Sequence, residues 1–280
     1  MKNPGTLLRS LALGLFAMLA APLAAAGGTA YTLAVLPSAP PVTMHSLWLP
    51  FVTELSKATG FEFHLKHYER MADFEREIWN GTPDLIFSSP IQMSVAHTAA
   101  GYIPLVRGRQ AVAVGLFVRA DSPIRSVDDV MGKKISFVGN KNVCSVAMQH
   151  LLAKRSGKLV FDKEYAGSTR NVIINVLLGK TDAGAIFLPD LARETDDTRA
   201  QLRQLVLTPD MASHPLSAHP RVPAAVRSAI VKAVLAMAAT PGGAATLEKL
   251  RLPDPVPADY AKDYAALEEM DVKVLTNWGQ

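Results

Sequence analysis

One cysteine and seven histidines are the side chains of this 280-residue chain best suited to act as nucleophile, general base or soft metal ligand. Their spacing assembles no catalytic set. Cys144 and His150 stand six apart on one expected helix and so do not share a face. A Cys–His pair can activate a nucleophile, but no third group marks itself as orienting the base. His64 and His67 are three apart around an expected strand and fall on opposite faces. The sequence holds no G-x-S-x-G, no P-loop, no H-E-x-x-H and no Rossmann glycine run. These residues read as those of a binding protein rather than an enzyme.

A lone cysteine excludes an intramolecular disulfide framework and a multi-cysteine zinc or iron–sulfur site. With 49% apolar and 19% charged residues the chain can bury enough surface to fold. The formal charge is only +4, and no basic run of five or more occurs, so nucleic acid is not an expected partner.

The first residues read as an export signal. Lys2 and Arg9 form a positive flank, Leu11–Leu23 an apolar run, and Ala24-Ala25-Ala26 an A-x-A cleavage site before Gly27. The run is shorter than the roughly 20 apolar residues of a spanning helix and is broken by Pro22. An uncleaved N-terminal anchor is the alternative. No cysteine stands near the cleavage site, which argues against a lipid-modified N-terminus, and no later stretch is apolar enough to cross a bilayer. The expected working form is exported, periplasmic and without stable membrane insertion.

Past the signal, strands and helices alternate. Tyr31–Leu36 is β-prone, and Trp48, Phe51, Val52 and Leu55 recur at a helix period stopped by Gly60. Phe61–Lys66 alternates as a strand; Met71, Phe74 and Ile78 mark a helix face. Asp84–Phe87 is a strand, and Ser89-Pro90 is an N-cap with proline at the first helical position. Strands at Tyr102–Val106 and Ala111–Val118 follow, then Ser126 and Asp129 as a capping box. Further strands are expected at Lys134–Val138, Leu159–Phe161, Ala183–Leu188 and Leu205–Leu207. Helices are expected from Val143 to near Gly157, over Val172–Leu177, as a polar helix over Asp190–Gln204, and over Pro223–Thr240 and Ala244–Leu250. Alternation of this kind predicts an α/β architecture of mostly parallel sheets flanked by helices, and the length predicts two lobes.

Several segments in order resemble one family. They are Leu33–Pro41, NGTPDLIFSSP at 80–90 (near G-x-x-D-I-x-x-L-G-P), SPIRSVDDVMGKKISFVG at 122–139, GSTRNVIINVLLGKTDAGAIF at 167–187, and Val256–Tyr260. Together they resemble the periplasmic phosphonate/phosphate/phosphite substrate-binding proteins of ABC importers. The resemblance implies a two-lobed, Venus-flytrap periplasmic-binding-protein fold. Its lobe 1 would be 27–118 and 215–280, its lobe 2 119–214, and its signal peptide 1–26. The chain would cross between lobes near Val118–Asp121 and Thr208–Pro215. A small-molecule or ion ligand would sit between the lobes, where helix N-termini meet an anion. The implied partner is an ABC permease, or a sensor protein that reads the closed form.

Carried over position by position, the family's ligand loop falls on Gly139–Ser145, with Lys141, Asn142, Cys144 and Ser145 as candidate contacts. A solvated Lys141 and a cap-forming Asn142 are the plain alternative. Met71 and Met93 stand where the family often has tyrosines. Thr169, beside Arg170, replaces the histidine of its G-S-H stretch, and His214 replaces an acid before Pro215. Ser88, Ser89 and Ser168 remain as polar cleft groups. No cofactor is expected. An alternative follows from Met71, Met93, Cys144 and His214, whose thioether, thiol and imidazole groups suit Cu(I) if they converge, with Met44-His45 as possible additions. Met71 also shares its stripe with Phe74 and Ile78, as core methionines do.

Overall fold

The structure is a computed structural model and describes residues 30–156 and 160–270; the expected signal peptide, 1–26, lies outside them. The chain opens with β1 (Ala30–Val35), α1 (Pro41–Thr59), β2 (Glu62–Lys66), α2 (Met71–Trp79), β3 (Leu85–Phe87), α3 (Pro90–Ala100) and β4 (Ile103–Gly108). A second series runs through β5 (Val114–Arg119), β6 (Lys134–Phe137), α4 (Val143–Ser156), β7 (Asp162–Tyr165), α5 (Thr169–Leu177), β8 (Ala183–Phe187), α6 (Leu188–Leu191), α7 (Asp196–Ala200) and β9 (Leu202–Leu207). The chain then returns with β10 (Pro215–Ala218), α8 (Ala224–Ala238), α9 (Pro241–Lys249), β11 (Pro255–Pro257) and α10 (Tyr260–Asp263), ending in a 3-10 turn over Ala265–Glu269.

These strands form two sheets, ordered β11-β4-β10-β3-β1-β2 and β7-β6-β8-β5-β9. The two-lobed α/β fold is therefore present, with one correction: the sheets are mixed rather than mostly parallel. β1–β2, β1–β3, β6–β7 and β6–β8 are parallel, whereas β10 and β5 each run antiparallel to both neighbours. A strand that enters a sheet directly from the other lobe arrives without a crossover helix, and this permits the antiparallel sense. The first lobe boundary also moves. Val114–Arg119 pairs with β8 and β9, so the first crossing is 109–113 and not Val118–Asp121; the return lies at 208–214.

The two crossings are hydrogen-bonded to each other. Val112 and Met211 exchange both backbone bonds at 2.8 Å, making a short two-stranded ribbon between the lobes. Such a ribbon can flex while keeping its own polar groups paired, as a hinge requires.

Each lobe buries the apolar faces its sequence patterns call for. On α1, Met44, Trp48, Phe51, Val52 and Leu55 pack on the first sheet, each such side chain worth about 1.5–3 kcal/mol of burial. That helix begins at Pro41, ahead of its apolar phase, and ends at Gly60 with φ 74°, a left-handed cap. Two further expectations shift. The strand placed at Leu159–Phe161 is instead Asp162–Tyr165, a polar edge strand, and Leu159 lies outside the described residues. The polar helix over Asp190–Gln204 is split in two, because Thr195 caps a new start by accepting from the Thr198 amide at 3.2 Å. Among the described residues no single helix is long and apolar enough to cross a membrane.

Candidate functional site

Three helices aim their N-termini at one cleft of about 640 Å³ between the lobes. At α3, the Ser89 hydroxyl accepts from the Gln92 amide at 3.3 Å while Gln92 Oε1 accepts from the Ser89 amide at 3.0 Å, a complete capping box. At α4, Asn142 Oδ1 accepts from the Cys144 amide at 2.9 Å. At α5, Ser168 Oγ accepts from the Asn171 amide at 3.1 Å. A cap satisfies one first-turn amide and leaves the others directed along the axis, so the three ends together favour an anion. Ser168→Ala is expected to cost about 1 kcal/mol of stability in urea unfolding; a wild-type midpoint would mean that this cap contributes nothing.

Charged groups of both signs stand around these ends. Lys141 and Arg251 line the cleft, as does Asp190, whose Oδ2 accepts from Thr169 Oγ1 at 2.8 Å. Glu75 on α2 is buried beside it and accepts from Gln92 Nε2 at 3.1 Å. Burial raises the Glu75 carboxyl above the usual range, against the pull of Gln92 and Lys141. Apolar side chains of Leu36, Met71, Val138 and Phe187 complete the walls beside these polar groups. His214 lies between the rings of Phe87 and Phe187, with centroids 5.9 and 6.4 Å away, and burial depresses it to about 3. It is therefore a neutral imidazole that can both donate and accept.

Of the residues singled out from sequence, Met71, Ser89, Lys141, Asn142, Cys144, Ser168, Thr169 and His214 line the cleft. Four others do not, and each for a physical reason. Met93 lies on the core face of α3, fully buried, with its sulfur accepting from Ser217 Oγ at 2.9 Å. Ser88 is fully buried in the strand-to-helix turn. The Ser145 hydroxyl is spent on the carbonyl of Gly139 in the loop before α4. Arg170 points to the surface and pairs with Glu194 at 2.9 Å. The soft-donor set is thus not assembled at the cleft, since Met93 is elsewhere. Burial also pushes the Cys144 thiol up, away from the thiolate that ligates metals. Asn142 does form a cap. Lys141 is not simply solvated, because it faces Glu75.

Sequence reasoning missed Gln92, Glu75, Asp190 and Arg251. Glu75 had a signal: it occupies the i+4 position of the stripe Met71, Phe74, Ile78, where a charge must find a partner. Arg251 had none, since it enters from the far end of the chain with φ 63°.

Comparison with known proteins places this geometry. The family model described as "ABC transporter, phosphonate, periplasmic substrate-binding protein" matches residues 33–264. No curated protein matches the sequence. Among solved structures, a protein of Prochlorococcus marinus in complex with methylphosphonate is similar over 88% of this chain and 98% of its own, at 15% identity and TM-score 0.70. A protein of Xanthomonas citri bound to ATP is similar over 90% and 100%, at 15% identity and TM-score 0.74. A binding-protein component of a phosphonate ABC transporter from Pseudomonas aeruginosa covers 89% and 86%, at 12% identity and TM-score 0.66. At these identities the structural likeness speaks for the fold, and the family match for descent.

Proposed function

The chain belongs to the phosphonate-binding family of periplasmic substrate-binding proteins of ABC transporters, and from that premise we propose that its cleft captures a small organophosphonate with a short apolar substituent. The observation that carries this reading is the convergence of three capped helix N-termini on one cleft that also presents the apolar side chains of Leu36, Met71, Val138 and Phe187. The helix ends and Lys141 receive the phosphonate oxygens. Met71, Val138 and Phe187 offer contact surface to the carbon substituent, which inorganic phosphate lacks. Neutral His214 accepts a hydrogen bond from a protonated phosphonate oxygen, a task a charged imidazolium could not perform.

The role is capture and delivery. Ligand seated between lobes contacts both, so it favours the closed arrangement by the difference in its affinity for the two states. The closed form is what an ABC permease in the membrane receives from the periplasm.

Calorimetry tests this directly. Methylphosphonate is expected to saturate one site per chain and to bind more tightly than phosphate or phosphite. Lys141→Gln removes a charge-assisted contact and is expected to weaken binding about tenfold or more. Silence from all three anions at millimolar concentration overturns the reading.

A further inference from the structure

Two ion pairs of opposite polarity span the cleft. Glu75, on α2 of the first lobe, faces Lys141 on the β6–α4 loop of the second, with Oε2 and Nζ 3.3 Å apart. Arg251, in the turn after α9 of the first lobe, faces Asp190 on α6 of the second, with Nη2 and Oδ1 3.9 Å apart. Each lobe thus contributes one cation and one anion. We propose that this crossed pair of ion pairs is a clasp that holds the lobes together before any ligand arrives, and that Glu75 is the group an incoming anion displaces from Lys141.

Placement and burial distinguish the first pair from ordinary surface ion pairs. The Glu75 side chain is 1% exposed and Lys141 23%, so water and salt screen the contact weakly. Gln92 holds the other carboxylate oxygen, which fixes Glu75 in register with the second lobe. Oε2 makes no hydrogen bond of good geometry among the described residues, so the approach of Lys141 is its main compensation. Opening the cleft takes Lys141 away from a carboxylate that stays behind in the first lobe. The second pair is longer, and Thr169 braces its Asp190. A third contact, Lys154 to Glu269 at 2.8 Å, joins α4 to the C-terminal 3-10 turn, but with 60% and 66% exposure it contributes little.

The consequence is functional. In a hinged binding protein whose lobes attract each other, part of the closing free energy is already present without ligand. An anion gains Lys141 only by replacing Glu75, so capture is an exchange of one carboxylate for one ligand oxyanion.

Small-angle scattering of the ligand-free protein is the test; of the phosphonate reading, the clasp needs only the shared cleft. A chain of this size is expected near 18 Å in radius of gyration when closed, and Glu75→Gln or Lys141→Gln should each raise it by about 1 Å. The double variant should match the singles, because either one already breaks the contact. Raising sodium chloride from about 0.05 to 0.5 M should move wild type less than either substitution does. Circular dichroism confirms folding, and Lys141→Gln, in a loop, stands alone if Glu75→Gln fails to fold. A ligand-free radius in Lys141→Gln equal to that of wild type overturns the clasp. Saturating methylphosphonate should return Glu75→Gln to the wild-type radius. If it does not while the ligand-free difference stands, the phosphonate reading fails and the clasp survives.

Discussion

Gly184→Ala should cost about 2–3 kcal/mol of stability and weaken ligand binding about tenfold, although residue 184 does not line the cleft. The reason lies in how α5 is seated. Gly184 is the middle-strand residue of β8 over which this helix passes. A β-carbon there would stand 2.7 Å from Val172 Cγ1 and 2.8 Å from Val176 Cγ2. Both are methyls of β-branched side chains with little rotamer freedom, so the helix itself must move. Val172 and Val176 are fully buried, and the close-packed interior transmits that displacement along the helix axis. The displaced end carries Ser168 and Thr169, which line the cleft. Denaturant unfolding and a methylphosphonate titration read the two effects separately. Adding Val172→Ala to the variant restores room at the contact and should recover much of both. Wild-type affinity in a clearly destabilised Gly184→Ala would show that α5 can shift without consequence for the cleft.

Gly184 also illustrates what sequence could and could not supply. The stretch Thr181–Gly184 was legible as part of a family segment, and periodicity placed β8 and α5 close to their observed bounds. Local pattern suffices there because each element has one buried face and a clear stop. Pairing partners are a different matter. The strand expected at Ala111–Val118 is present as Val114–Arg119, but which sheet it joins is decided by contacts with β8 and β9, some 70 to 90 residues onward. β10 was not anticipated: its four residues are all buried, begin with proline and show no alternation. The site divides in the same way. The helix ends could be read from Ser89 and Asn142, since capping is local, whereas Ser168 reads only as a polar cleft group and its cap emerges from the structure. Met93 could not be told from a ligand contact, because a methionine facing the core and one facing a cleft have the same sequence signature. Glu75 stood in plain view as a charge within an apolar stripe. Asp190 and Arg251 acquire meaning only once two lobes face each other.

Acid should destabilise the protein through His214, and the sign follows from burial. In the unfolded chain this imidazole has its ordinary value of 6.5, whereas in the fold it is depressed to about 3, first by burial and then by Arg251. Between those values the unfolded state binds a proton that the folded state refuses, so stability rises with pH across this window. The contribution is fully present above about 6.5 and falls by about 1.4 kcal/mol per pH unit on acidification, flattening near pH 3. Across the window that amounts to about 5 kcal/mol. Other groups titrate here too; Glu75, with its raised carboxyl, has the opposite slope. The informative quantity is therefore the difference between wild type and His214→Gln, which is neutral at every pH. Urea midpoints from pH 4 to 7 should converge on acidification as wild type loses its advantage, and parallel curves would sink the argument. The same neutrality bears on function. With His214 uncharged, Lys141 and Arg251 are matched by Glu75 and Asp190. The cleft then carries little net charge of its own, and the attraction for an anion rests on the helix ends and on what Lys141 gives up when it leaves Glu75.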